Sequence, residues 1–336
     1  MLMITVLHYM HHGGMLTAWH EGEAAMTGVN AAAWIIEAFC LCGMSCFIML
    51  SGYFLTPEKW SPKRLIGLIL QCLFYSVTVP VILVLTGAVS MADIDKYDIL
   101  FWLFPIGTES WWFMTSYVTL YILSPFLSYG VEKIGRNNFK KALLFLIFFE
   151  SVEKTILPVV MPTDRYGYDA LWMITMFLVG RYIKLYGAGF LEKRFMPPVT
   201  YGVSCLLMFL ISFAAGRAAA NGVEGLKYYS GMPYTCNYFL CMTASIGLFC
   251  MFRQLTLSEG FISDAARKIS PYVLGAYLIH EHPLVRSIWP GWIFADRVRG
   301  TFLFIPATFA AALTVLAAGC VCDLLRQKLF ALIRRI

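Results

Sequence analysis

The chain has 336 residues, of which 59% are hydrophobic and only 14% are charged, and its mean hydropathy is +0.69. Soluble proteins carry about 25% charged residues, so this composition excludes an ordinary soluble domain. It predicts an all-α, polytopic membrane helix bundle. The net charge of +6 does not call for a nucleic-acid partner, because the basic residues lie where membrane topology places them.

Ten apolar runs are predicted to cross the membrane, since a span needs about 20 mostly apolar residues. The first run is too short to cross a bilayer by itself. Together the runs predict one transmembrane domain over residues 1–336, with no soluble domain. They cover residues 1–12, 33–55, 64–88, 111–130, 140–161, 168–186, 198–217, 235–253, 271–290 and 302–325.

The distribution of basic residues predicts the orientation of these spans. Eighteen of the 26 Lys and Arg residues lie in the segments that follow the even-numbered spans, and six lie in the loops that follow the odd-numbered spans. Cytoplasmic loops are rich in Lys and Arg, so both termini are predicted to be cytoplasmic. The expected location is the cell membrane. The ten cysteines lie almost entirely in apolar runs and predict packing rather than disulfides.

Ionisable residues inside predicted spans are the first candidates for function, because burying a charge in lipid is costly. In the fifth span, Glu150 shares a helix face with Glu153 and Lys154. This group has three interpretations. It is an internal ion pair that joins two helices, the span ends early and leaves the charges in water, or the group lines a functional cavity.

The ninth predicted span carries a denser polar group in the sequence GAYLIHEHPLVRSIW. Here His282 and Arg286 are four residues apart and are expected to face the same way, whereas His280 points elsewhere. Pro283 is expected to kink the helix. We therefore predict that His280, Glu281, His282 and Arg286 line a cavity in the membrane.

The first run contains His8, followed by His11 and His12, which together give the spacing H-x-x-H-H of a di-iron histidine box. Six histidines and no third box are too few for two metals, so we predict no metal site. We expect His11, His12 and His20 to be solvated loop residues.

Two further motifs are less charged. The stretch CFIMLSGYFL places Ser51, Gly52 and Tyr53 at the cytoplasmic end of the second span, and it indicates a small-residue helix contact. The stretch ESWWFMTSYVTLYILSPF opens the fourth span with Trp111 and Trp112, which is typical of an interfacial aromatic belt.

Four motifs in this order, LMITVLHYMHHGG, FIMLSGYFL, WWFMTSYVTLYILSPFL and GAYLIHEHPLVRSIWP, resemble the acyltransferase 3 family of integral membrane O-acyltransferases. The resemblance covers nearly the whole chain and agrees with about ten spans. It implies that His8 is the essential histidine of the first span. The family's arginine stands eleven residues earlier, before Met1, which suggests that the first span is truncated and that the natural start lies upstream.

The resemblance implies transfer of an acyl group, expected to be acetyl, from cytoplasmic acetyl-CoA to a hydroxyl of a surface glycan or lipid-linked saccharide. His8 would act as a base on the acceptor or would carry the acyl group covalently. Trp111 is a candidate for stacking on a sugar, and Ser51 and Tyr53 are candidates for donating hydroxyls. The alternatives are a glycolipid transporter or flippase and a non-catalytic membrane subunit. Acceptor and oligomeric state stay open.

Overall fold

A computed structural model describes residues 1–17, 26–158, 164–256 and 258–333 of the chain. His20 lies outside these ranges. Within them the chain forms helices and no strand, which confirms the predicted all-α fold. The α-helices are α1 Leu2–His12, α2 Gly28–Leu41, α3 Gly43–Phe54, α4 Pro62–Leu85, α5 Lys96–Leu103, α6 Trp112–Ile147, α7 Glu153–Ile156, α8 Ala170–Tyr186, α9 Met196–Ala220, α10 Leu226–Gly231, α11 Phe239–Gln254, α12 Phe261–Ile269, α13 Val273–His280, α14 Trp289–Trp292, α15 Ala295–Val298 and α16 Phe304–Ile333.

Five helical segments among the described residues are long and apolar enough to cross a membrane. Each coincides with one of the predicted spans, and long apolar helices of this kind support a membrane helix bundle. Their bounds are Gly28–Phe54, Pro62–Leu85, Met196–Ala220, Leu226–Gln254 and Phe304–Leu332.

The predicted fourth and fifth spans lie on one long helical segment. Helix α6 runs through both, but its backbone breaks at Gly135, where φ is 74° and ψ is 165°. A backbone with positive φ suits glycine, which has no Cβ to clash. The segment Phe148–Val152 then forms a π-helix before α7. The predicted boundary between the two spans, after residue 130 and before residue 140, therefore coincides with a kink.

The prediction of a continuous, kinked helix over residues 271–290 is wrong. Helix α13 ends at His280, and the chain then makes turns until α14 begins at Trp289. Pro283 has no N–H to donate to the carbonyl of Ile279. The N–H of His282 donates to that carbonyl instead, at 3.2 Å, and this tighter turn ends the helix.

The helices belong to two compact units. The first unit contains residues Met1–Met15, Lys63–Thr115 and Thr256–Ile336. In it, α13 packs closely on α16. A Cβ on Gly275 would lie 2.5 Å from the Cβ of Asp323, and a Cβ on Gly319 would lie 2.4 Å from the Cα of Ala276. Small residues therefore set the distance between α13 and α16.

One buried carboxylate joins α16 to α4. Asp323, on α16, is fully buried, and its Oδ1 accepts hydrogen bonds from Gln71 at 3.0 Å and from Tyr75 at 2.9 Å, both on α4. Arg326 donates to it from the next turn at 2.7 Å. The charge is satisfied on several sides, as a buried carboxylate must be. Asp323 is an intramembrane charge that the sequence analysis did not single out.

The second unit contains residues Leu16–Pro62 and Ser116–Leu255. In this unit α3 crosses α8 at a pair of glycines. A Cβ on Gly52 would lie 1.9 Å from the carbonyl oxygen of Phe177, and a Cβ on Gly180 would lie 2.3 Å from that of Met49. The small-residue helix contact that the SGY motif predicts is therefore present, and α8 is the partner helix.

The charged group of the fifth predicted span is an ion-pair network in the second unit. Lys154 lies 3.8 Å from Glu150, and its Nζ lies 2.8 Å from Oδ2 of Asp164. The side chains of Lys154 and Asp164 are each only 3% exposed. Asn237 donates to the other oxygen of Asp164 at 3.0 Å. This arrangement is the internal ion pair of the first interpretation, with Asp164 as the closer partner of the lysine.

The close contact at Gly52 predicts that alanine there destabilises the protein, whereas alanine at a glycine without neighbours stabilises it. We expect Gly52→Ala to lower the free energy of unfolding by about 3 kcal/mol or more, because its methyl group would overlap the backbone of α8. Gly67→Ala is the matched control. Gly67 is also within a helix but has nothing within 4 Å of its Cβ position, so alanine should stabilise by up to about 1 kcal/mol. Unfolding in detergent measures both, and an unchanged midpoint for Gly52→Ala would contradict the close crossing.

Candidate functional site

The candidate site begins with two histidines on α1. His8 and His12 are four residues apart, so they lie on the same face of this helix. Their rings are 5.8 Å apart, and their side chains are 23% and 19% exposed. Tyr9, which is fully buried, donates from its hydroxyl to the carbonyl of Ile293 at 2.9 Å and attaches α1 to the chain beyond α13.

A single carboxylate lies between the two histidines. Oε1 of Glu281 is 2.9 Å from Nε2 of His12, and its Oε2 is 2.9 Å from Nδ1 of His8. Glu281 is the first residue after α13, so the end of that helix places it there. Its side chain is 11% exposed. A carboxylate with so little water around it needs N–H donors, and His12 supplies one to Oε1. Oε2 lies close to His8 without a hydrogen bond among the described residues.

A third histidine fixes which nitrogen of His8 carries the proton. Nδ1 of His280 lies 2.6 Å from the carbonyl oxygen of Ala276, and because a carbonyl can only accept, this nitrogen must be the donor. In neutral His280 the other nitrogen, Nε2, then accepts. It lies 2.9 Å from Nδ1 of His8, so that nitrogen carries the proton. Oε2 of Glu281 faces the same N–H.

These contacts leave Nε2 of His8 as an unprotonated nitrogen whenever the ring is neutral. Among the described residues, none makes a hydrogen bond to this atom. The arrangement has the two parts that a general base needs, which are a nitrogen with a free lone pair and a carboxylate that orients the ring from the opposite side. Chemically, it can remove a proton from a hydroxyl or attack an electrophilic carbon.

The cluster also contains potential metal ligands. Among the described residues, one group of His, Cys, Asp and Glu has ligand atoms within 4.8 Å of one another, and it consists of His8, His280 and Glu281. Zinc–nitrogen bonds of about 2.0–2.1 Å in a tetrahedron would hold the ligand atoms about 3.3 Å apart. The 2.9 Å separations are those of hydrogen bonds instead. The hydrogen-bonded arrangement therefore explains the geometry without a metal, and the absence of a metal stays a prediction.

The prediction that His12 is a solvated loop residue is wrong. His12 is the last residue of α1 and is bound to Glu281. His11 is exposed as predicted, but it lies in α1 and not in a loop. The helical spacing of His8 and His12 was visible in the sequence, but the partner that makes it meaningful lies 269 residues away. No local pattern could have identified that partner.

His282 and Arg286 line a cavity of about 250 Å³ in the first unit. His282 is 1% exposed, and its Nδ1 accepts from the backbone N–H of Leu284 at 3.2 Å. His280 and Glu281 face the α1 histidines, so consecutive residues at the end of α13 point to two different places. His282 therefore lines the cavity and does not belong to the His8 cluster.

Trp111 does not occupy a position in which it could stack on a sugar. It is 2% exposed and belongs to a hydrophobic core cluster with Tyr75, Met114 and Tyr277. Its ring lies 5.6 Å from that of His282, so it supports the wall of the cavity from behind. The interfacial position that the WW motif predicts does not fit this burial.

Ser51, Tyr53 and Glu150 all belong to the second unit. The hydroxyl of Ser51 is 3.2 Å from that of Tyr117, and the ring of Tyr53 packs 5.6 Å from that of Phe249. Glu150 is part of the network around Lys154 described above. The histidine cluster is built by residues of the first unit alone.

The sequence matches a family model described as an acyltransferase domain, and the match extends over residues 1–323. It therefore includes α1, the end of α13 and every residue of the histidine cluster. No curated protein and no solved structure matches the chain.

The hydrogen-bond assignment predicts the tautomers of three histidines. We expect neutral His8 and His280 to carry the proton on Nδ1 and neutral His12 to carry it on Nε2, because of the acceptors that each nitrogen faces. Ring-nitrogen NMR of the histidine-labelled protein in lipid measures this, with single substitutions to assign the signals. Exposed His11 is the internal control. A proton on Nε2 of neutral His8 would contradict the assignment.

Proposed function

The chain belongs to the acyltransferase 3 family, and from the geometry of its histidine cluster we propose which groups carry out the transfer and between which substrates. The family match supports a multi-pass membrane acyltransferase. We propose that it moves an acetyl group from cytoplasmic acetyl-CoA to a hydroxyl of a surface glycan or lipid-linked saccharide. The C-terminus would then be cytoplasmic, as the basic residues predict.

One observation carries this proposal: Nδ1 of His8 is engaged by His280 and Glu281, while Nε2 of the same ring is left free. An acyltransferase that acts on a hydroxyl needs a base at the nucleophile, and histidine is the side chain whose ordinary pKa lies nearest neutral pH. The carboxylate of Glu281 would stabilise the imidazolium that forms when His8 takes up a proton.

In the proposed reaction, Nε2 of His8 removes the proton from the acceptor hydroxyl as its oxygen attacks the thioester carbon of acetyl-CoA. The tetrahedral intermediate collapses, the carbon–sulfur bond breaks and the ester forms. The proton held on His8 then passes to the departing thiolate, which regenerates neutral His8. The same free nitrogen could instead attack the thioester and carry the acetyl group itself. Label retained on the protein in the absence of acceptor would distinguish this covalent route.

The negative charge that develops on the thioester oxygen needs an N–H donor. Trp289 is 3% exposed, and its Nε1 has no hydrogen-bond acceptor among the described residues. Its ring packs 5.8 Å from that of His280, which in turn contacts His8. Trp111 has a similar unpartnered N–H, but it packs against His282, outside the cluster. We therefore propose Trp289 as the donor.

The charge distribution supports the assignment of the two substrates to opposite sides. Coenzyme A is phosphorylated and cytoplasmic, and the predicted cytoplasmic loops are the basic ones. The positive-inside rule by itself also gives basic cytoplasmic loops. The acceptor would approach from the outer side.

The base proposal predicts a loss of transfer on substitution of His8 or Glu281. We expect His8→Ala to lower the transfer rate by about 10²- to 10⁴-fold and Glu281→Gln by about 10²-fold or more, because the first removes the base and the second its orienting charge. His11→Ala, beside the cluster but exposed, should leave the rate unchanged.

The measurement uses membranes that contain the full chain and acetyl-CoA labelled in its acetyl group. The label is followed into lipid and glycan fractions. If His8→Ala transfers label as well as the wild type, His8 is not the base. If no fraction gains label from any form while a glycolipid still crosses the membrane, the transporter alternative gains support over the enzyme.

The oxyanion proposal predicts a different pattern at Trp289. We expect Trp289→Phe to lower the turnover number by about 10²-fold with little change in KM for acetyl-CoA, since the ring remains and only the N–H is lost. Trp292→Phe is the control, because Trp292 is 60% exposed. An unchanged turnover number in Trp289→Phe would remove this residue from the mechanism.

A further inference from the structure

A second polar site lies beside the histidine cluster in the first unit. It is the cavity of about 250 Å³ that His282 and Arg286 line after the end of α13. Helix α5 and the loop before α6 form its other side with Asp98, Trp102, Glu109 and Ser110. Glu281 and His282 are consecutive, so one short turn connects the wall of this cavity to the base His8.

The charges of the lining favour one of the two proposed substrates over the other. Asp98 and Glu109 contribute two negative charges and Arg286 one positive charge, which leaves a net negative lining. A ligand with several phosphates, such as coenzyme A, would be repelled. The apolar side chains of the lining alternate with hydroxyls, an imidazole and these charged groups, which disfavours an acyl chain. The cavity therefore suits an uncharged ligand that is rich in hydroxyl groups.

The lining also has the two kinds of contact that a sugar ring uses. Carboxylate and guanidinium groups hydrogen-bond to hydroxyls, and a half-exposed indole offers an apolar face to the C–H groups of the ring. Trp102 is in this position, whereas the sequence analysis assigned stacking to Trp111.

Local structure holds these side chains in place. Oδ2 of Asp98 accepts from the backbone N–H of Asp95 at 3.0 Å, which fixes the first turn of α5. Glu109 has a φ of 57°, a conformation that residues other than glycine rarely adopt and that is found at functional sites. The loop that contains Glu109 is also predicted to lie on the outer side of the membrane, where a glycan would approach.

We propose that this cavity binds the acceptor as a sugar ring, with Arg286 and the two carboxylates on its hydroxyls and Trp102 on its apolar face. This inference rests on the proposed function, and it names the acceptor subsite and its substrate class.

A binding experiment tests the cavity without requiring transfer. The full chain in detergent is irradiated with a methyl glucoside that carries a diazirine, and the labelled peptides are mapped by mass spectrometry. We expect label in residues 98–110 and 282–286, competition by plain methyl glucoside, and at least a tenfold loss in Trp102→Ala. His8→Ala should label normally. Label spread evenly over the chain, or unaffected by Trp102→Ala, would overturn the proposal.

A kinetic experiment separates this proposal from the function on which it rests. With methyl glucoside as acceptor, Arg286→Gln should raise the acceptor KM at least tenfold and change the acetyl-CoA KM less than twofold. His8-dependent transfer with an unchanged acceptor KM in both Arg286→Gln and Trp102→Ala would overturn the subsite and leave the enzyme standing. Specific labelling of the cavity without His8-dependent transfer would support the subsite and overturn the transferase mechanism instead.

Discussion

The carboxylate of Glu281 is the interaction on which the site depends. Its two oxygens lie 2.9 Å from nitrogens of His8 and His12, so one side chain joins α1 to the end of α13. Four buried residues of α1 add apolar packing, and the Tyr9 hydroxyl adds one hydrogen bond. His280, beside this carboxylate, accepts from Nδ1 of His8 and so places the proton on that nitrogen, which leaves the opposite nitrogen free. One buried charge therefore attaches a helix and lies beside the ring that we propose as the base.

The position of this carboxylate is set by how α13 packs and where it ends. Gly275 and Gly319 allow α13 to approach α16 closely, and the hydrogen bonds of Asp323 hold α4 to the same place. Pro283 then ends the helix at His280 by removing one donor. After the helix ends, neighbouring side chains are free to point in different directions. Glu281 turns to the histidines and His282 to the cavity.

Two kinds of polar group in this protein can be distinguished by their partners. Asp323 and the pair Lys154–Asp164 are satisfied by partners on several sides, which is what low dielectric surroundings require of a structural charge. His8 is satisfied on one nitrogen only. An incomplete set of partners on an otherwise fixed side chain is what a catalytic group needs, because the remaining position is available to a substrate.

The sequence by itself determined the fold class and the family, and it singled out His8 as a candidate for the site. Long apolar runs predict membrane helices because lipid requires the backbone to satisfy its own hydrogen bonds, and the SGY motif predicted a close helix contact that the structure contains. Only the tertiary structure decided which polar residues meet. His8 contacts His280 across 272 positions of sequence, and His12 contacts Glu281 across 269. Helical periodicity reports neighbours three or four residues apart and carries no information about such pairs, which depend on how separate helices pack and where each one ends.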